Sequence, residues 1–130
     1  MALRRLQRGF KGRGLIEKVV ENLKKELDGI PIIVEGKMDK KPLISLGFKN
    51  ILAISGNTLY NTTEYISSEH KAVLILTDYD REGRKKAAIL TKLLNHRGIK
   101  TLPRYRHLFR NVFGVIKIQD IDSLIKDTWL

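Results

Sequence analysis

The chain has 130 residues, with 25 Lys and Arg against 14 Asp and Glu, a formal net charge of +11, three His and no Cys. That length holds one domain, and 42% hydrophobic residues suffice for a core, which excludes a disordered basic tail. The lack of Cys excludes a disulfide framework, a thiolate nucleophile and Cys-based zinc sites; no apolar run nears the roughly 20 residues of a membrane helix, and no apolar stretch follows the first cations as a signal peptide requires, so the protein is expected in the cytoplasm.

Residues 1–14 read as a basic arm with Gly9, Gly12 and Gly14, and residues 15–130 as a single domain. Leu15, Val19, Val20, Leu23 and Leu27 recur at helical spacing up to the Asp28-Gly29 stop. Ile30–Val34 is a β-branched strand with Pro31 near its start; Met38–Leu46 is a helix ending at Gly47; Asn50–Ser55 is a second strand. Asn57 or Thr58 caps a helix through about Ser68. Lys71–Thr77 is the most apolar strand and leads through Asp78-Tyr79-Asp80-Arg81 into a helix from about Glu82 to Arg97, closed by Gly98. Ile99–Arg104 is expected as a fourth strand and Val112–Ile118 as a short one; Ile121, Leu124 and Ile125 suggest a final helix.

Continuous apolar strands separated by helices predict an α/β fold: a small open, mainly parallel sheet flanked by helices. In such sheets ligands bind beyond the C-terminal strand ends, here the loops starting at Glu35, Ser55 and Asp78. If the first and third strands are neighbours, Glu35, Asp78 and Asp80 meet at one rim, with Glu82 as a fourth acid. Alternation along an extended segment points Asp78 and Asp80 the same way. Crowded carboxylates repel, and a hard divalent cation makes such a cluster favourable. The expected cofactor is Mg²⁺, with Mn²⁺ as a substitute, and Asn at position 78 or 80 is expected to stabilise the protein without metal. The competing reading makes the aspartates turn or cap residues and Glu82 a complement to the helix dipole.

The charge is uneven. Ten cations and one acid lie between Arg81 and Arg110, and Arg4, Arg5, Arg8, Lys11 and Arg13 form a smaller block without an acid. The expected partner is therefore a polyanion, nucleic acid rather than a membrane, because no segment pairs a basic face with a wide apolar one. Arg81, Arg84 and Lys85 share one side of a helix start suited to phosphate, whereas Lys86 turns partly away. Arg104-Tyr105-Arg106-His107-Leu108-Phe109-Arg110 interleaves cations and aromatics, either to stack on unpaired bases while Arg104, Arg106 and Arg110 hold phosphates or as a helix with Tyr105, Leu108 and Phe109 packed on the core and its arginines exposed.

Val34-Glu35-Gly36-Lys37 and, about forty residues later, Leu76-Thr77-Asp78-Tyr79-Asp80-Arg81-Glu82-Gly83 resemble the motifs of the Toprim domain shared by topoisomerases, bacterial-type primases and several nucleases. The match covers roughly residues 30–110. The Asp80-Arg81-Glu82-Gly83 string is similar to type IA topoisomerases, and the surroundings of Glu35 and Asp78 are similar to the ribonuclease that trims 5S ribosomal RNA precursors. As a whole chain it resembles the small stand-alone Toprim proteins of archaea. The resemblance implies Glu35 as the first-motif acid, Asp78 and Asp80 as metal ligands, Glu82 as the third acid seen in topoisomerases and Lys37 as a transition-state contact. Within these 130 residues, without Cys, neither a topoisomerase cleavage domain nor a primase zinc domain is expected. The expected function is thus a Mg²⁺-dependent phosphodiesterase or processing nuclease acting on RNA more readily than DNA. The alternative is a non-catalytic, nucleic-acid-binding subunit of an RNA-processing or repair assembly.

Overall fold

In this computed structural model, backbone is described for residues 10–129 and side chains for residues 14–126. Three short strands form one parallel sheet: β1 (Ile32–Val34) lies in the middle, β2 (Ile51–Ala53) on one side and β3 (Leu74–Ile75) on the other. Ile32 stands opposite Ile51 and Leu74, so all three strands run the same way from a common level. Among the described residues six helices surround them: α1 (Phe10–Glu26), α2 (Lys37–Ser45), α3 (Leu59–Glu69), α4 (Arg81–His96), α5 (Pro103–Phe113) and α6 (Ile121–Trp129), the last preceded by a 3₁₀ turn at Ile118–Asp120.

Strand alternation divides the core in two. Ile32, Val34, Leu74 and Leu76 face a layer built from Ile16, Val20, Leu23 and Leu27 around α1, Leu43 of α2, and Phe109 and Phe113 of α5. Ile33, Val73 and Ile75 face the opposite layer, where Ile66 of α3 meets Ala87, Leu90 and Leu94 of α4. Both sheet faces are thereby dry, which is why the strands read as unbroken apolar runs. The stripe of α1 is Ile16-Val20-Leu23-Leu27, and Leu15 is 49% exposed instead of buried. The helix also starts at Phe10, so residues 10–14, expected in the arm, are helical. Arg4, Arg5 and Arg8 lie outside the described residues, as do the side chains of Lys11, Arg13 and Trp129.

Two strand expectations, Ile99–Arg104 and Val112–Ile118, are corrected. Ile99–Arg104 contributes only one bridge, Lys100 beside Ala72, before Leu102 takes a left-handed conformation (φ 51°) and Pro103 opens α5. Proline suits the first helical turn, and the left-handed residue before it ends any extended strand. The segment 112–118 is not a strand either: α5 runs to Phe113 and turns at Gly114 (φ 64°). Arg106 takes over part of the missing fourth strand's work on the open edge of β3. Its guanidinium donates to the carbonyls of Ile75 (3.3 Å), Thr77 (2.7 Å) and Asp78 (3.0 Å).

Candidate metal centre

β1 ends at Val34 and delivers Glu35, and the chain leaving β3 delivers Asp78 and Asp80 to the same rim because β1 and β3 are direct neighbours. Oxygens of Glu35, Asp78 and Asp80 lie within 4.8 Å of one another. Several contacts hold this arrangement. The Asp78 amide donates to Glu35 Oε2 at 2.8 Å, tying the two strand ends together through a side chain. The buried Thr77 hydroxyl donates to the Gly83 carbonyl at 2.6 Å, drawing the start of α4 against the end of β3. Gly83 permits that approach, since a Cβ there would collide with the Asp78 main-chain carbonyl. Asp80 caps α4, its Oδ1 accepting from the Gly83 amide at 2.8 Å.

Both readings of the aspartates therefore hold at Asp80, which is a helix cap and a member of the cluster. Glu82 stays outside it, exposed in the first turn of α4 where it complements the helix dipole. Lys37 is exposed at the first position of α2, two residues from Glu35.

Two further cations complete the centre. Lys86 Nζ contacts Glu35 Oε1 at 2.7 Å, and Lys117 Nζ contacts Asp80 Oδ2 at 3.4 Å. Helical geometry turns Lys86 partly away from the side of Arg81, Arg84 and Lys85, and the structure places it toward the acidic rim, on the flank of the buried stripe Gly83-Ala87-Leu90-Leu94. Lys117 comes from the segment after α5, where Ile118 donates its amide to Asp78 Oδ1 at 2.9 Å and the Ile116 carbonyl accepts from the Tyr79 amide at 2.6 Å. Neither lysine was singled out from the sequence as a site residue. Nor was Asp39, buried in α2, whose Oδ2 accepts from the Gly36 amide at 2.9 Å and fixes the turn after Glu35.

These contacts separate the acids electrically. Burial alone would raise the Glu35 carboxyl, but the Lys86 ammonium and the Asp78 amide outweigh it and hold Glu35 below the ordinary glutamate range. Asp78 lies above the aspartate range, first through burial and then through repulsion by Glu35, Asp39 and Asp80, only partly relieved by the Ile118 amide. Asp80 lies below it, because the Gly83 amide and Lys117 stabilise its charged form. Burial also raises Asp39.

Among the cations expected to meet nucleic acid, Arg81, Arg84 and Lys85 are exposed on the first turns of α4, and Arg104 is exposed at the start of α5. Arg106 is not a free surface cation: its donors serve the carbonyls of Ile75 in β3 and of Thr77 and Asp78 just after it, and it lies over the Tyr79 ring at 4.5 Å. Arg110 approaches the same ring at 5.3 Å. The 104–110 segment is thus a helix with Phe109 buried and Leu108 at the surface. Tyr79 is buried and donates its hydroxyl to the Arg106 carbonyl at 2.8 Å, and burial pushes its phenol pKa up to about 12 despite the two guanidiniums.

The donor set fits a hard divalent cation: three carboxylates from two adjacent strand ends, with oxygens close enough to share one ion and all three residues partly open to solvent. Among the described residues no helix is long and apolar enough to cross a membrane.

Comparison with known proteins agrees with this geometry. A family profile for the Toprim domain matches residues 30–112. A UPF0292 protein of Methanocaldococcus jannaschii is 39% identical over 110 residues, covering 82% of this chain and 84% of its own. A DNA primase of Aquifex aeolicus is 37% identical over 79 residues, which are 60% of this chain but 16% of the primase. Among solved structures, a protein from Aquifex aeolicus superposes with a TM-score of 0.70 at 27% identity, covering 79% of this chain and 94% of that one. The zinc-binding and RNA polymerase domains of the Aquifex aeolicus primase superpose with a TM-score of 0.50 at 28% identity, covering 74% of this chain and 28% of that one. With the profile spanning well over half of its length and its acids gathered at the ends of adjacent parallel strands, the chain belongs to the Toprim domain family.

Proposed function

We propose that this protein is a Mg²⁺-dependent nucleic-acid phosphodiesterase of the Toprim type, working in the cytoplasm, with RNA as its first substrate class and Mn²⁺ as a substitute ion. The observation that carries the reading is the convergence of Glu35, Asp78 and Asp80 within 4.8 Å at the C-terminal rim of a parallel sheet. Family membership supplies the coarser frame of metal-dependent nucleic-acid processing.

In this reading Glu35, Asp78 and Asp80 hold the ion. A divalent cation bound there supplies charge stabilisation for the phosphoryl group and lowers the pKa of a bound water. Glu35, whose carboxylate pairs with the Lys86 ammonium, serves as a ligand or as a general acid or base. Arg81, Arg84 and Lys85 hold backbone phosphates beside the start of α4, and Arg104 extends that track. Lys37, exposed two residues after Glu35, supports a phosphate oxygen. Arg106 instead fixes the peptide groups from which Asp78 projects. A second reading, binding without cleavage, draws on Lys86 and Lys117, which already neutralise two of the carboxylates.

Labelled single-stranded and hairpin RNA and DNA, incubated with Mg²⁺ or Mn²⁺, separate the two. Cleavage by the wild type that Glu35→Gln and Asp80→Asn both abolish is the expected result. Tight binding without cleavage in either metal overturns hydrolysis in favour of the binding subunit.

A further inference from the structure

The acidic centre carries two ammonium groups from different parts of the chain. Lys86 reaches Glu35 from the second turn of α4, and Lys117 reaches Asp80 from the segment that follows α5. That segment lies beyond residues 30–112, the extent of the family match. It is nevertheless fastened to the centre by main-chain bonds on both sides of Lys117: Ile116 accepts from the Tyr79 amide and Ile118 donates to Asp78 Oδ1. The backbone at Lys117 is therefore fixed, while its side chain remains 52% exposed and free to change partner.

Three ionised carboxylates bring a charge of −3 to the rim, and the two lysines reduce it to −1. Any divalent cation entering there competes with both ammonium groups for the same oxygens. A phosphodiester arriving with the ion changes the balance, because its oxygens give the displaced ammonium groups new partners at close range. Lysine suits such an exchange better than arginine, being a compact charge on a flexible stem. The rigid fork of Arg106, spent on three main-chain carbonyls, serves the opposite purpose.

We infer that Lys117, assisted by Lys86, is a positioning residue that couples the two ligands of this centre: it weakens cation binding in the absence of nucleic acid and moves to a phosphate oxygen when nucleic acid binds. By linkage the effect is reciprocal, so each ligand raises the affinity for the other by the same factor. The inference rests on the nucleic-acid reading given above but not on cleavage.

The test is calorimetric titration of Mg²⁺ into the full chain, alone and with a single-stranded phosphorothioate oligonucleotide that resists hydrolysis. Three proteins are compared: wild type, Lys117→Ala and Lys117→Arg. For the wild type, the oligonucleotide tightens Mg²⁺ binding. Lys117→Ala binds Mg²⁺ alone about threefold or more tightly than wild type at low salt, as expected for removing one nearby exposed charge, and loses most of the enhancement by oligonucleotide. Lys117→Arg keeps the charge and stays close to wild type without oligonucleotide, which separates the charge from any disturbance of the 114–120 segment. Unchanged Mg²⁺ affinity of Lys117→Ala in the absence of nucleic acid overturns the inference, as does an enhancement equal to wild type. A protein that shows the coupling but cleaves nothing contradicts only the hydrolytic reading.

Discussion

Asparagine at position 78 raises metal-free stability, whereas asparagine at position 80 does not. Both substitutions remove one negative charge from the same rim, and from sequence alone both were expected to stabilise. The structure distinguishes them. Asp78 faces Glu35 at no more than 4.8 Å, a like-charge contact of about 1 kcal/mol at the dielectric of water and roughly 3.5 kcal/mol at an effective value near 20. Its Oδ1 acceptor for the Ile118 amide survives in Asn, so the hydrogen bond is kept while the repulsion goes. After allowance for solvent and for the nearby lysines, Asp78→Asn gains about 1 kcal/mol, or about 4 °C in Tm for a domain of this size. Asp80→Asn loses an ion pair to Lys117 and weakens a charge-assisted cap, so it melts at or below wild type; Asn is itself a good cap and limits the loss. Thermal unfolding by circular dichroism in EDTA at pH 7 and low salt reads both, and repeating it with Mg²⁺ should show the ligand-induced rise reduced or lost in each variant. The raised pKa of Asp78 adds a pH signature: its protonation relieves the wild type, so the advantage of Asp78→Asn shrinks as the solution is acidified. Asp78→Asn melting below wild type without metal, or retaining the full Mg²⁺ response, would refute the reasoning.

Three other perturbations probe neighbouring contacts. Glu35 is held below its ordinary value of 4.5, so its contribution to stability is complete above about that pH and lost as pH falls through the lowered folded value; Glu35→Gln should cost about 1 kcal/mol at pH 7 and nothing near pH 2, measured by urea unfolding across pH. Arg106→Met removes three bonds to half-buried carbonyls and should cost about 2–4 kcal/mol in the same assay, while oligonucleotide affinity of the folded protein changes little; a large affinity loss with stability intact would return Arg106 to the nucleic-acid interface. Replacing Arg84 and Lys85 together by Ala should weaken single-strand binding alike across sequences and flatten the slope of log affinity against log salt by about 1.4, whereas an unchanged slope would place the nucleic acid elsewhere.

What the sequence revealed and what it hid have separate physical causes. Strand runs such as Lys71–Thr77 and the acids at their ends were legible because a doubly covered parallel sheet demands continuous apolar strands and leaves only their C-terminal loops for polar chemistry. The convergence of Glu35 with Asp78 needed one further fact, that β1 and β3 are neighbours, which no local pattern encodes. Lys86 was not singled out because the helical face was referred to Arg81 and Arg84, when the buried stripe through Gly83, Ala87 and Leu90 decides which flank meets the rim. Lys117 gave no signal, since its role arises from a long-range return of the chain after Gly114. For Arg106, cations interleaved with aromatics describe a base-stacking surface and an edge clamp equally well. Only the early end of the fourth strand separates them, and Pro103 was the available clue to it.

The central claim is that Glu35, Asp78 and Asp80 form one divalent-cation site, and the most direct measurement is the anomalous diffraction of crystals soaked in Mn²⁺. The account predicts a peak at coordination distance, about 2.2 Å, from carboxylate oxygens of these residues, absent from Asp78→Asn crystals treated identically. A peak elsewhere, or none at this rim in well-ordered wild-type crystals, would contradict it.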